Sequence, residues 1–189
     1  SKNIWTSANR FDANGSSIVM WANSSDTEGV VRLWDGSQLC SAATFNAVSA
    51  GTATLNTCRT SGGAEIFLGG GASTASPTVA TGPNATVPAG FAKGWGSINY
   101  SGQMGSATSG NGYLAGVLLG FLTSNTAATN INSGGGDIVI RGKASENTGL
   151  WANQEAMAYG IMAMGSNTNT SGINASGGKV LLHGECQNA

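Results

Sequence analysis

The chain has 189 residues, enough for one domain with a continuous core, and eight basic against nine acidic residues leave a net charge of -1. Charged residues make up only 9% and form no basic cluster that would displace counterions from phosphates, which excludes nucleic acid as a partner. A hydrophobic fraction of 40% argues against disorder, and the longest apolar run, residues 113–122, is interrupted by Gly116 and Gly120 and falls short of a membrane span, so no membrane insertion is expected.

Taken in chain order, Asp12-Ala-Asn-Gly15 reads as a turn and residues 17–21 as the first strand. Residues 30–34, 44–48 and 52–55 are also strand-like, separated by Asn, Ser, Asp and Gly, with Asp35-Gly36 as a further turn. Then comes Ser61-Gly-Gly-Ala-Glu-Ile-Phe-Leu-Gly-Gly70, in which glycines permit positive φ at a corner and the apolar triplet makes a short strand. The same pattern returns at Ser133-Gly-Gly-Gly-Asp-Ile-Val-Ile-Arg-Gly142 and at residues 176–184. Between these copies, residues 97–100, 116–120 and 160–164 are weaker strand candidates. Residues 72–92 break the pattern and contain all three prolines, Pro77, Pro83 and Pro88, so they are read as an inserted loop, because proline cannot donate to a sheet ladder.

With Ile98, Val117, Ile138, Ile161 and Val180 as strand markers, successive separations are 19, 21, 23 and 19 residues, and Phe45 to Ile66 is again 21. A period near 20 with glycine at the corners predicts an all-β fold: a single right-handed parallel β-helix, or β-solenoid, over residues 1–189, with the Pro-containing loop inserted at about 72–92. No amphipathic helix is legible before Asn14 or after Gly184 to cap such a stack. The coils are therefore expected to stack end to end, on copies of this chain as a filament or on flanking coils of the same polypeptide.

Residues 17–23, 29–34, 61–71 and 133–143 resemble the repetitive passages of very large filamentous-haemagglutinin-like surface adhesins of Gram-negative bacteria. The resemblance implies a parallel β-helix, export to the extracellular space or cell surface, and a role in adhesion, aggregation or matrix building. It brings no catalytic motif and no cofactor, and the expected function is a structural and adhesive module rather than an enzyme.

Few residues stand out as sites. Cys40 and Cys58 are 18 residues apart, close to the inferred period, and stacked residues lie within disulfide range, so they are the expected bridge. Cys186 is left over, an intermolecular thiol by that reading. His183 is the only histidine, which rules out a two-His metal site within one chain. Asp26 and Glu28 form the closest acidic pair in a polar turn, and the nine acids are too scattered for the converging carboxylates of a polysaccharide-degrading β-helix enzyme, the least favoured function. Trp5, Trp21, Trp34, Trp95 and Trp151 are expected mainly in the core, with Trp5, Trp95 and Trp151 as the candidates for stacking on cell-surface or matrix glycans. An ice-binding or carbohydrate-binding module is the alternative, although Thr52 with Thr54 and Thr168 with Thr170 are not in register.

Overall fold

A computed structural model describes residues 4–6, 9–22, 29–33, 36–49, 52–70, 91–93, 115–120, 128–144, 159–163 and 172–185. Every element among them is a strand: β1 (Ile4–Thr6), β2 (Arg10–Asp12), β3 (Ile18–Ala22), β4 (Val31–Leu33), β5 (Gln38–Cys40), β6 (Thr44–Ser49), β7 (Thr52–Cys58), β8 (Ile66–Gly70), β9 (Ala92–Lys93), β10 (Val117–Leu119), β11 (Asn130–Asn132), β12 (Ile138–Lys143), β13 (Ile161–Ala163), β14 (Gly172–Asn174) and β15 (Val180–Glu185).

Three parallel sheets organise them. The first runs β1-β4-β10-β13, the second β2-β5-β11-β14 and the third β3-β8-β12-β15, with β9 pairing the distal part of β12. The strands thus fall into four successive sets, β1-β2-β3, β4-β5-β8, β10-β11-β12 and β13-β14-β15, and each set adds one strand to each sheet in the same order. The three glycine-bounded segments come together as expected: Ile66, Ile138 and Val180 are register partners on neighbouring strands, and Ile18 continues the row.

The twenty-residue period needs correction. Val117 pairs with Ile161 in the first sheet, whereas Ile138 pairs with Val180 in the third, so the marker residues alternate between two sheets and successive partners stand 44 and 42 residues apart. Phe45 is likewise not stacked beside Ile66, because β6 and β7 form an antiparallel hairpin of their own, inserted between β5 and β8. Ala92, at the end of the expected Pro-containing insertion, belongs to β9 and pairs with Gly142, while residues 71–90 and the strand candidate 97–100 lie outside the described residues.

Alternation along each strand explains the core. Met20, Leu68 and Ile140 from the third sheet, Val31, Leu33, Val117 and Leu119 from the first, and Leu39 and Ile131 from the second belong to one buried cluster. Each fully buried aliphatic side chain contributes roughly 1.5–3 kcal/mol of transfer free energy, which is what keeps strands of three residues in place. Three strands of the second sheet each send one aliphatic residue to the core, Leu39, Ile131 and Ile173, whereas Phe11 in the same row of β2 is 39% exposed.

Candidate functional site

The corner between the second and third sheets recurs as an eight-residue unit: Phe11-Asp-Ala-Asn-Gly-Ser-Ser-Ile18, Ile131-Asn-Ser-Gly-Gly-Gly-Asp-Ile138 and Ile173-Asn-Ala-Ser-Gly-Gly-Lys-Val180. Two central residues take positive φ in each, Asn14 and Gly15, Gly134 and Gly135, Ser176 and Gly177. The turns close through N–H donation from Ser16 to Ala13 O (3.0 Å), Gly136 to Ser133 O (3.4 Å) and Gly178 to Ala175 O (3.1 Å), the pattern of a type I′ turn. Asn132 Oδ1 accepts from Gly134 N at 2.9 Å and Asn174 Oδ1 from Ser176 N at 2.8 Å, so in these two turns the Asn side chain fixes the entry.

In the second set this corner carries the hairpin instead. Cys40 occupies the row of Asp12, Asn132 and Asn174, and it is bonded to Cys58 at the hairpin's last residue, with Cα atoms 5.6 Å apart. The bridge is present, but the stacking argument for it is corrected: the two cysteines bracket one insertion within a single set rather than lying on successive sets. Ser41 Oγ, fully buried, donates to Ala64 O (2.6 Å) or Ser133 O (2.8 Å), tying the interrupted corner to the next set. Cys186 lies outside the described residues.

The outer rows of the sheets are mixed in character. Trp5 is 39% exposed, and the Arg32 guanidinium lies 5.1 Å from its ring centroid; burial lowers the pKa of Arg32 to about 10. Trp21 stacks on Phe67 at 5.4 Å, with Val139 and Leu181 continuing the apolar strip. Beside it, Phe91 meets His183 edge-on at 4.9 Å and lies under Arg141 at 5.5 Å, while Glu185 is 3.5 Å from Lys143 Nζ and 3.6 Å from His183 Nε2. Trp5 is the glycan-stacking candidate that the structure describes; Trp34, Trp95, Trp151, Asp26 and Glu28 are outside the described residues.

The described acids act as structural partners. Asp12 accepts from Arg10 Nε at 2.7 Å, and Asp137 Oδ1 accepts from Lys179 N at 2.8 Å across adjacent sets. Among the described residues no three His, Cys, Asp or Glu side chains are grouped to hold a metal ion.

The last set presents the most unusual surface. Val180 and Leu182 are 45% and 52% exposed, whereas Ile138 and Ile140, their partners in the preceding set, are fully buried. These are core-row side chains left open at one edge, together with strands whose far side has no partner strand among the described residues. The exposure of these two residues marks an edge that is open among the described residues. No family model, curated protein or solved structure matches the chain.

Proposed function

We propose that the three sheets are the faces of a right-handed parallel β-solenoid, each strand set forming one coil, and that this solenoid is a structural and adhesive module of a secreted or surface-displayed protein. The observation that carries the reading is the identical strand order of the three sheets around a shared core, which a chain winding repeatedly in one sense satisfies with the fewest crossings. At a rise of about 4.8 Å per coil the four coils stack with their described strands paired from one coil to the next. The Cys40–Cys58 bridge favours an oxidising compartment, consistent with export. Of the segments that resemble filamentous-haemagglutinin-like adhesins, residues 17–23, 61–71 and 133–143 contribute strands to the third sheet and residues 29–34 to the first, and their recurrence supports the adhesive role.

Glycans on cells or matrix are the proposed ligands, with exposed Trp5 on the first sheet as a stacking surface. Beads coated with the purified chain should retain glycan-coated surfaces, and Trp5→Ala should weaken retention without loss of folded signal. Turnover of pectin, alginate or chitin by the same preparation, with no retention, would replace the adhesive reading with an enzymatic one.

A further inference from the structure

We infer that Asn14, in the Asn14-Gly15 pair of the first corner, is a deamidation site held closed by the bond from Gly15 N–H to Ser41 O, so that its conversion records the opening of the first strand set from the second.

The reaction belongs to the pair. The Gly15 nitrogen gives its proton to hydroxide and attacks Asn14 Cγ; an N–Cγ bond forms, the Cγ–Nδ2 bond breaks and ammonia leaves. Water then opens the five-membered imide, at Cγ to give aspartate or at the main-chain carbonyl to give isoaspartate. Glycine on the C-terminal side puts no Cβ in the path of the attack, which makes Asn-Gly the most reactive such pair in an open chain. Of the three corner turns only the first holds it, since the others have Gly134-Gly135 and Ser176-Gly177 in the same places.

Asn14 is exposed, so water and hydroxide reach it, and the control lies in the nucleophile. Gly15 N–H donates to Ser41 O at 2.6 Å, Ala13 N–H to Cys40 O at 2.8 Å and Ser16 N–H to Ala13 O at 3.0 Å. With Asn14 and Gly15 at φ of 49° and 93°, these bonds fix the peptide between them and keep its nitrogen from swinging over Cγ. A bonded amide gives up its proton only when the bond opens, the same condition that governs amide exchange. The acceptor is itself anchored: Ser41 N–H donates to Asn132 O at 3.2 Å, and Ser41 Oγ donates to Ala64 O or Ser133 O.

The product does not refit. Isoaspartate routes the main chain through Cβ and Cγ and adds a methylene to it, so Ala13 and Gly15 no longer reach the successive carbonyls of Cys40 and Ser41 together. The new carboxylate also falls two residues from Asp12. Opening that lasts long enough for reaction thus becomes permanent at this corner.

The experiment incubates the intact chain, a synthetic peptide of residues 10–22 and the intact chain carrying Ser176→Asn at one mildly alkaline pH. Peptide mapping then separates asparagine, aspartate and isoaspartate. Ser176→Asn places the same pair in the equivalent turn, at a residue whose φ of 51° suits asparagine, but no carbonyl among the described residues accepts the Gly177 N–H. The peptide should convert at least roughly tenfold faster than Asn14 of the intact chain, and position 176 of the variant should convert faster than Asn14 in the same molecules. In the natural chain, urea below the unfolding midpoint should raise conversion of Asn14 in step with amide exchange at Gly15. Equal rates for chain and peptide, or conversion that does not follow Gly15 exchange, would overturn the inference. Equally slow conversion at positions 14 and 176 would assign protection to turn geometry alone and overturn the role given to Ser41.

Discussion

Glycine carries two different duties in this chain, and substitution separates them. At Gly135, with φ of 108°, a side chain is strained by the backbone but meets only ordinary contact with Ser61, so Gly135→Ala should cost about 1–2 kcal/mol. At Gly136 the added methyl strikes the Ala64 peptide of the neighbouring set, and overpacking against backbone should cost about 3 kcal/mol or more. Urea midpoints of the two variants check the order. Arg32 offers a pH test with a definite sign. Burial lowers its folded pKa to about 10, below that of the open chain, so as pH rises through the folded value the unfolded state binds more protons and stability rises with pH. Relative to Arg32→Met, the natural chain should therefore gain stability as pH climbs through that window, as denaturation of the two proteins side by side would reveal.

At the scale of elements, the corner between the second and third sheets is the modular unit. Three copies make the turn with two positive-φ residues, and the fourth replaces those two residues with a disulfide-bracketed hairpin. The parallel sheets on either side keep their register across the insertion, with Leu39 beside Ile131 and Ile66 beside Ile138. Replacing residues 42–63 with Gly-Gly, together with Cys40→Asn to restore the Asx acceptor, should therefore yield a folded protein with an unchanged parallel core, verifiable by circular dichroism and amide exchange. Reduction of Cys40–Cys58 in the natural chain removes a crosslink around a loop of this size, worth about 3 kcal/mol in the chain-entropy account, and should loosen the hairpin before the sheets.

Across the whole molecule, stability should be graded from the middle sets outward. Ile66, Leu68, Ile138 and Ile140 are fully buried, whereas Val180 and Leu182 are about half exposed. Ile138→Ala should cost about 2–5 kcal/mol and Val180→Ala distinctly less. Hydrogen exchange should accordingly run fastest in β15 and slowest in β8 and β12, with each tenfold difference in protection corresponding to about 1.4 kcal/mol of local opening free energy.

Much of the third sheet was legible in the sequence because its strands combine apolar runs with flanking glycines, a signal that local chemistry sets by itself. The turn at Asp12-Ala-Asn-Gly15 was equally readable, since Asn and Gly are the residues that tolerate positive φ. The second sheet was not: one core residue between polar neighbours, as in Asn130-Ile-Asn132, has no period to detect and becomes a strand only when partners on both sides supply hydrogen bonds. The same reason explains the misjudged repeat, because apolar triplets from two different sheets look alike along the chain, and only long-range pairing sorts Val117 with Ile161 and Ile138 with Val180. Composition and corner chemistry thus determined that the chain would build short glycine-bounded strands. Which strands lie side by side, where the hairpin enters and which edge stays open were decided by tertiary packing, because backbone pairing between distant residues leaves no mark on local sequence.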